Sequence, residues 1–433
     1  MAGVSDTARR VKAILVGSLG NLVEWYDFYA YSAFSLYFAK AFFPGDDPVV
    51  ENLSTAGIFA LGFFMRPIGG WLFGLIGDTR GRRIALMASV LLMCFGSLMI
   101  ACAPTYKSIG IGAPALLLVA RLLQGLSLGG EYGSSATYLS EMATQERRGF
   151  YSSFQYVTLI GGQFVALIVL LALQNLFLSG AQLREFGWRI PFAIGAALAL
   201  FAFVMRRDLD ETQAFETARA RRGRRGGVAA LLAYPRQALI VVGLTMGGTL
   251  AFYVYTIYMQ KFLKLSVGLS DVQTTWVSVG TLIVAMILQP IYGALSDRIG
   301  RRPLLLGFGV LGTLGTVPML TAIQHAGGPW QAFGLIVVAW LIVSGYTSIN
   351  AVVKAELFPT IVRATGVGLP YALAVSIFGG SAEYIALWFK NARMESGFYW
   401  YATAVIFCSL MVYFLMPDTK ATSRIDEEEA FAV

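Results

Sequence analysis

The feature that most constrains this chain is a series of long apolar runs, such as 84–103 and 332–343, recurring from one end to the other. About 20 predominantly apolar residues are needed for one helix to cross roughly 30 Å of hydrocarbon. Only 13% of the 433 residues are charged while 57% are hydrophobic. A water-exposed surface usually takes about a quarter of its residues from Asp, Glu, Lys and Arg, so the bilayer is the solvent for most of this chain. The runs predict helices at 13–40, 53–77, 84–104, 112–139, 150–175 and 189–206. A second set is expected at 238–262, 272–295, 303–324, 331–354, 364–389 and 397–416. A β-barrel is disfavoured, since barrel strands alternate in short segments and give a much weaker apolar signal.

The net charge of +8 could suggest nucleic acid, but its distribution argues against that. Arg9, Arg10 and Lys12 precede the first run, while Arg80, Arg82 and Arg83 follow the second. Arg147 and Arg148 follow the fourth, and Arg298, Arg301 and Arg302 the eighth. Arginines crowd the stretch 206–236, whereas the alternate loops hold single cations such as Lys107, Arg184 and Lys264. This positive-inside pattern predicts that both termini and the central stretch are cytoplasmic, as in a multi-pass protein of a bacterial inner membrane. The first run is too long, and too charged at Glu24 and Asp27, to be expected to act as a cleaved leader. Cys94, Cys102 and Cys408 lie inside runs without metal-ligand spacing, and the single histidine, His325, falls in a loop. Neither a zinc site nor a Ser/His/Asp hydrolase is expected, and no phosphate-binding loop points to ATP. Neither an enzyme nor an organic cofactor is therefore expected.

The chain repeats itself. Gly74-Leu-Ile-Gly-Asp78-Thr-Arg-Gly81-Arg82-Arg83 follows the second run, and Gly293-Ala-Leu-Ser-Asp297-Arg-Ile-Gly300-Arg301-Arg302 follows the eighth. Glu141 and Arg148 are echoed at Glu356 and Arg363, at almost the interval that separates Asp78 from Asp297. The reading is two six-helix halves, 1–205 and 237–433, joined by a linker at 206–236. The repeated loop G-x-x-x-D-x-x-G-R-R resembles the signature of the major facilitator superfamily. Charged groups at the ends of neighbouring helices there can latch in one conformation and part in another. The expected gating residues are Asp78, Arg82, Arg83, Asp297, Arg301 and Arg302, with Glu141, Arg148, Glu356 and Arg363. The plainer alternative is that they only mark topology.

Within that superfamily the chain resembles the metabolite:proton symporters. The resemblance rests on Gly20-Asn-Leu-Val-Glu-Trp-Tyr-Asp-Phe-Tyr-Ala-Tyr31, Phe64-Met-Arg-Pro-Ile-Gly-Gly70, Arg121-Leu-Leu-Gln-Gly-Leu-Ser-Leu-Gly-Gly-Glu-Tyr-Gly133 and Gly187-Trp-Arg-Ile-Pro-Phe192. The segments at 153–163 and 378–384 are most like those of members that take up 2-oxoglutarate. One departure is Thr79-Arg80, where those members carry Lys-His, so pH sensing through a histidine in that loop is not expected. The resemblance implies an all-α membrane fold of twelve helices in two bundles, with the first and fourth facing a central cavity. It also implies proton-driven import of a dicarboxylate, by one chain acting alone.

Ionisable residues inside apolar runs are expensive and point to function. Asn21, Glu24, Asp27 and Tyr31 recur at steps of three and four and share one helical face. Arg121, Gln124, Glu131, Ser135 and Tyr138 form a second stripe. Asp27 is expected to pair with Arg121 when charged and to release it on protonation, with Glu24 and Glu131 as further proton sites; a static ion pair is the alternative. Arg66 either binds a substrate carboxylate or pairs with Asp27 or Glu24. Arg189 is a substrate ligand or an interfacial cation, and Lys354 is expected in a vestibule. Tyr156, Gln163, Tyr253, Gln260, Tyr346, Asn350 and Glu383 are candidates either for substrate contact or for ties between helices. Gly125, Gly129, Gly130, Gly133, Gly161 and Gly162 are expected to permit close helix approach. Moving one negative charge into a negative interior costs about 2.3 kcal/mol per 100 mV, so concentrative uptake of a dianion requires cotransported cations, with protons as the coupling ion. Citrate, shikimate, proline and betaine remain alternative solutes, and a non-transporting membrane sensor is the alternative from another class.

Overall fold

The apolar runs form twelve long helices in a computed structural model that describes residues 2–80, 82–129, 131–207 and 231–425. In the first half, α1 is Ala2–Phe42, α2 Pro48–Arg80 and α3 Arg82–Ala101. Helix α4 runs in two segments, Gly112–Leu128 and Glu131–Met142; α5 is Arg148–Ala172 and α6 Ile190–Arg207. In the second half, α7 comprises Pro235–Tyr253, a widened turn at Val254–Tyr258, and Met259–Leu265. Then come α8 (Asp271–Ile299), α9 (Arg302–Gln324) and α10 (Pro329–Thr347 and Asn350–Glu356). Helix α11 comprises Thr360–Ala374, a widened turn at Val375–Gly379, and Ala382–Asn391; α12 is Glu395–Leu415. Most of the linker expected at 206–236 lies outside the described residues.

Nine of the described stretches are long and apolar enough to cross a membrane, and Met87–Ala101 and Gly112–Leu128 are shorter apolar helices; with α1 they make twelve. Large apolar side chains remain exposed around the waist, among them Trp71, Phe95, Phe201, Leu239, Leu314 and Phe407. So many large apolar side chains on the exterior suit a lipid solvent rather than water.

The two halves repeat each other structurally as well as in sequence. The break in α4 at Gly129 and that in α10 at Ser348 are separated along the chain by the same interval as Asp78 and Asp297 of the repeated loops. Small residues set how closely the helices cross. A Cβ placed on Gly125 would fall on the Gly62 carbonyl of α2, and one on Gly129 would fall on the Arg66 carbonyl. Gly162 meets the α1 backbone at Tyr26, and Gly133 faces Gly368 across the two halves. These four act as the sequence suggests. Gly161 makes only ordinary contacts, and Gly130 lies outside the described residues.

The halves touch at both ends and in the middle, and in the middle they do so through backbone groups that local irregularities set free. Pro67 inside α2 has no N–H to give the Phe63 carbonyl; that carbonyl instead accepts from the Ser376 hydroxyl of α11 at 2.6 Å. The widened turn in α7 disturbs the regular ladder in a comparable way, and its Thr256 carbonyl accepts from Gln163 Nε2 of α5 at 2.9 Å. Helix-breaking features in this chain therefore serve as cross-half connections.

The α2–α4 crossing leads to a direct expectation. Gly125→Leu forces backbones apart and should destabilise by roughly 1–3 kcal/mol or more, seen as lost monodisperse protein and a lowered thermal midpoint in detergent. Gly334→Leu, where a Cβ meets open space, should leave both unchanged.

Candidate binding, coupling and gating sites

Polar clusters interrupt the apolar interior among the described residues. The first lies within the first half. Asp27 of α1 is fully buried and accepts hydrogen bonds on Oδ2 from the Ser97 hydroxyl of α3 and from Gln124 Nε2 of α4, the latter at 2.7 Å. Gln124 Oε1 accepts from Arg121 Nη1 at 2.6 Å. The expected direct pair of Asp27 and Arg121 is thus replaced by a relay: one glutamine amide donates to the acid and accepts from the guanidinium. The reason is geometric, because Gln124 follows Arg121 by one turn and lies between it and α1. Asp27 also packs against Gly195 of α6, where an added Cβ would strike its carboxylate. Its partners all belong to the first half, so Asp27 sits inside that bundle rather than on the surface between the halves. Of the other expected proton sites, Glu24 is buried on the same helix, and the side chain of Glu131 lies outside the described residues.

The second cluster lies between the halves and holds two buried cations. Arg66 of α2 is 4% exposed. Its guanidinium carbon lies 3.9 Å from the centroid of Phe63, 4.6 Å from Phe28 and 4.8 Å from Trp25. Among the described residues no ion pair joins it to Asp27 or Glu24, and its Nε and Nη2 have no hydrogen-bond partner. The hydroxyl-bearing rings of Tyr29 and Tyr253 lie within electrostatic reach of it. Lys354 of α10 lies two residues before Glu356, near the helix end as the sequence suggests, but it is fully buried rather than open to a vestibule. Its Nζ donates to the Tyr132 hydroxyl at 3.0 Å and sits 3.8 Å from the centroid of Tyr371. Tyr132 and Tyr371 stack at 3.6 Å with an 11° interplanar angle, and the Tyr132 hydroxyl donates to Asn350 Oδ1 at 3.0 Å.

Cation–π contacts give about 0.5–2 kcal/mol each and a neutral hydrogen bond about 1 kcal/mol. The effective desolvation penalty of a buried ion is several kcal/mol. Aromatic faces therefore offset only part of what burying Arg66 and Lys354 costs, and a carboxylate is the ordinary remedy.

The remaining expected substrate residues divide. Tyr156 and Tyr253 are buried in this central region: Tyr156 packs on Phe252, and Tyr253 on Phe63 of the other half. Asn350 holds Tyr132 in place. Gln163 and Gln260 bind main-chain carbonyls, Thr256 and Ala33 respectively, across the halves. Arg189 is remote from this region: it donates to the Ala103 and Glu185 carbonyls and lies 4.2 Å over Trp188, so its geometry is that of a helix-end tie. Lys261 of α7 went unnoticed in the sequence. It forms an ion pair with Glu383 and donates to the Ser32 carbonyl and hydroxyl of α1, both at 3.1 Å, closing the end of the bundle opposite the termini. A lone lysine in an apolar run was the available signal for it.

The third cluster closes the end that carries the termini. Asp297, in the second copy of the repeated loop, accepts from the backbone N–H groups of Gly149 at 2.7 Å and Phe150 at 2.9 Å. These amides open α5 of the other half, where unsatisfied N–H groups and the helix dipole favour an anion. Gly149 and Gly293 let the two backbones meet there. Arg301 binds Asp297 at 2.8 Å and Glu356 at 3.3 Å. Burial works against the Arg301 charge, but Glu356 and Asp297 outweigh it and hold its pKa above the usual arginine value. With Arg148, Gln145, Glu146 and Lys420 these groups line a cavity of about 260 Å³.

Arg302 does not join the latch: it donates to the Tyr413 and Phe414 carbonyls and secures the end of α12. Arg363 donates to the Phe358 carbonyl at 3.0 Å within the second half. The side chains of Asp78, Arg82, Arg83 and Glu141 lie outside the described residues. Replacing Asp297 by Ala removes two charge-assisted bonds between the halves, each worth about 1.5–3 kcal/mol. A Ser153→Cys probe on a background without Cys94, Cys102 and Cys408 should then react with maleimide roughly tenfold faster or more.

Comparison with known proteins agrees with this architecture. The model of the sugar (and other) transporter family matches twice, over residues 13–226 and 221–431. The alpha-ketoglutarate permease of Escherichia coli (strain K12) is 54% identical over 412 residues, covering 95% of each chain. A citrate-proton symporter of Klebsiella pneumoniae is 36% identical over 93% of this chain and 90% of its own. Among solved structures, the major facilitator proton:xylose symporter bound to 6-bromo-6-deoxy-D-glucose superposes with a TM-score of 0.76 at 19% identity, over 98% of this chain and 99% of that one. That likeness concerns the fold. With twelve helices in two repeated bundles and a family match spanning both, the chain belongs to the sugar (and other) transporter family.

Proposed function

We propose that this protein is a proton-coupled symporter that imports a dicarboxylate of the 2-oxoglutarate type by alternating access. The observation that carries this reading is Arg66: a guanidinium buried between the halves, framed by aromatic faces, and without a carboxylate among the described residues. A planar fork of N–H donors in that setting suits bidentate capture of a carboxylate. The 54% identity to a permease named for alpha-ketoglutarate supports the choice of acid. The buried cation, which among the described residues has no carboxylate partner, argues against a neutral sugar as the solute.

Coupling is assigned to Asp27, with Glu24 as an auxiliary acid. A proton on Asp27 removes the negative charge to which Ser97 and Gln124 donate, and Gln124 is also the hydrogen-bond partner of Arg121. Arg121 and Arg66 both lie against Phe28, at 4.2 and 4.6 Å from its centroid. A change in the hold on Arg121 therefore reaches the substrate cation through one ring. The halves 1–205 and 237–433 rock about the central site, with the linker and both termini in the cytoplasm of a bacterial cell and the protein in its inner membrane. The Asp297 latch then closes the cytoplasmic end and the Lys261 tie the outer one. Site and gates are built within one chain, so a monomer suffices.

The test is uptake of radiolabelled 2-oxoglutarate into proteoliposomes under an imposed pH gradient, with citrate and proline as competitors. Wild-type protein should accumulate 2-oxoglutarate; accumulation of citrate or proline alone would overturn the substrate. Arg66→Gln should lower the apparent affinity on the order of 100-fold. Asp27→Asn should abolish accumulation while keeping exchange against preloaded substrate; normal accumulation by that variant would make Asp27 a structural residue.

A further inference from the structure

We propose that Lys354 is a second carboxylate subsite, so that a diacid is held by one cation from each half: Arg66 of α2 and Lys354 of α10. The inference rests on the dicarboxylate reading above and adds the residue that would select a second carboxylate. Lys354 is fully buried and, among the described residues, pairs with no carboxylate; its Nζ has a single hydrogen bond, to the Tyr132 hydroxyl at 3.0 Å. Lys261, the comparably buried lysine, is instead neutralised by Glu383. The contrast between them matters, because an interior lysine with an acid beside it is explained by that acid, and one without is not.

The surroundings of Lys354 are those of a binding site. Tyr132 and Tyr371 form a stacked platform, with Nζ 3.8 Å from one centroid and 5.0 Å from the other. The Tyr132 hydroxyl occupies Nζ while donating to Asn350. A carboxylate arriving there replaces a neutral acceptor with an anionic one. Tyr371 is also within electrostatic reach of Arg66, so one ring borders both cations. Tyr132 belongs to the first half and Lys354 to the second, which places this subsite on the surface where the halves part. A monoacid satisfies one half only, whereas a diacid ties both.

The experiment measures binding to purified full-length protein in nanodiscs by calorimetry, using 2-oxoglutarate and 2-oxopentanoate, which carries a methyl group in place of the distal carboxylate. Wild-type protein should prefer the diacid strongly. In Lys354→Gln the diacid affinity should fall on the order of 100-fold, while that for 2-oxopentanoate changes by less than about threefold. Equal losses for the two ligands would overturn the subsite and leave the dicarboxylate reading standing. Failure of wild-type protein to bind 2-oxoglutarate would overturn that reading itself. Retained binding of 2-oxopentanoate reports the fold of the variant. Lys354→Arg, which keeps the charge on a longer side chain, should retain diacid binding and shift the preference towards the four-carbon oxaloacetate. An unchanged length preference would count against direct contact.

Discussion

The structure depends on how it keeps cations in an interior that has few anions to match them. Arg66, Arg121 and Lys354 are all buried in helices surrounded by apolar side chains. None makes an ion pair among the described residues. Arg121 is held by Gln124 and by the faces of Phe28 and Tyr31, Arg66 by three rings, and Lys354 by two tyrosines. Aromatic quadrupoles partly compensate a desolvated cation without neutralising it. An interior arranged like this leaves its cations incompletely compensated, and under the proposed function a substrate carboxylate supplies the missing partner. The aromatic richness of α1 thus has a role beyond packing.

The gates follow a different economy. At the termini end, Asp297 is received by backbone amides at the start of α5, a partner that no side-chain substitution elsewhere can remove. At the opposite end, Lys261 reaches the Ser32 carbonyl while Glu383 holds its charge. In both cases a side chain from the second half meets main chain of the first. Such contacts are few, as ends that open and close in the proposed cycle require. The segment after α12 reinforces the first gate: Thr419 donates to Glu356 at 2.6 Å, and Asp418 accepts from the Arg301 amide at 3.1 Å.

Much of this was legible in the sequence. Apolar run lengths determined the helices, because a bilayer demands satisfied backbone and about 20 apolar residues per span. The two copies of the charged loop, at Asp78 and Asp297, determined the two-half plan, and the glycines of α4 determined a close crossing. Asp27, Arg66 and Arg121 stood out because ionisable residues in hydrocarbon require a reason. Sequence periodicity gives a helical face, however, and not the neighbour opposite it. Asp27 itself faces α3, α4 and α6, while Asn21 and Tyr31 of the same stripe reach α5 and α2, and only the assembled bundle decided that Gln124 stands between Asp27 and Arg121.

Tertiary structure likewise decided which polar residues were ties and which were ligand candidates. Gln163 and Gln260 reach carbonyls that a widened turn or a neighbouring helix presents, a fact that depends on three-dimensional register. Of the two roles open to Arg189, the helix-end one fits its contacts, and the burial of Lys354 between rings of both halves follows from long-range packing that chain position does not report. What the sequence determined by itself was local and periodic: span, repeat, small-residue crossings, and the presence of costly charges. Pairing is long-range, between residues such as Tyr132 and Lys354 that lie in opposite halves of the chain, and only the folded halves bring such residues together.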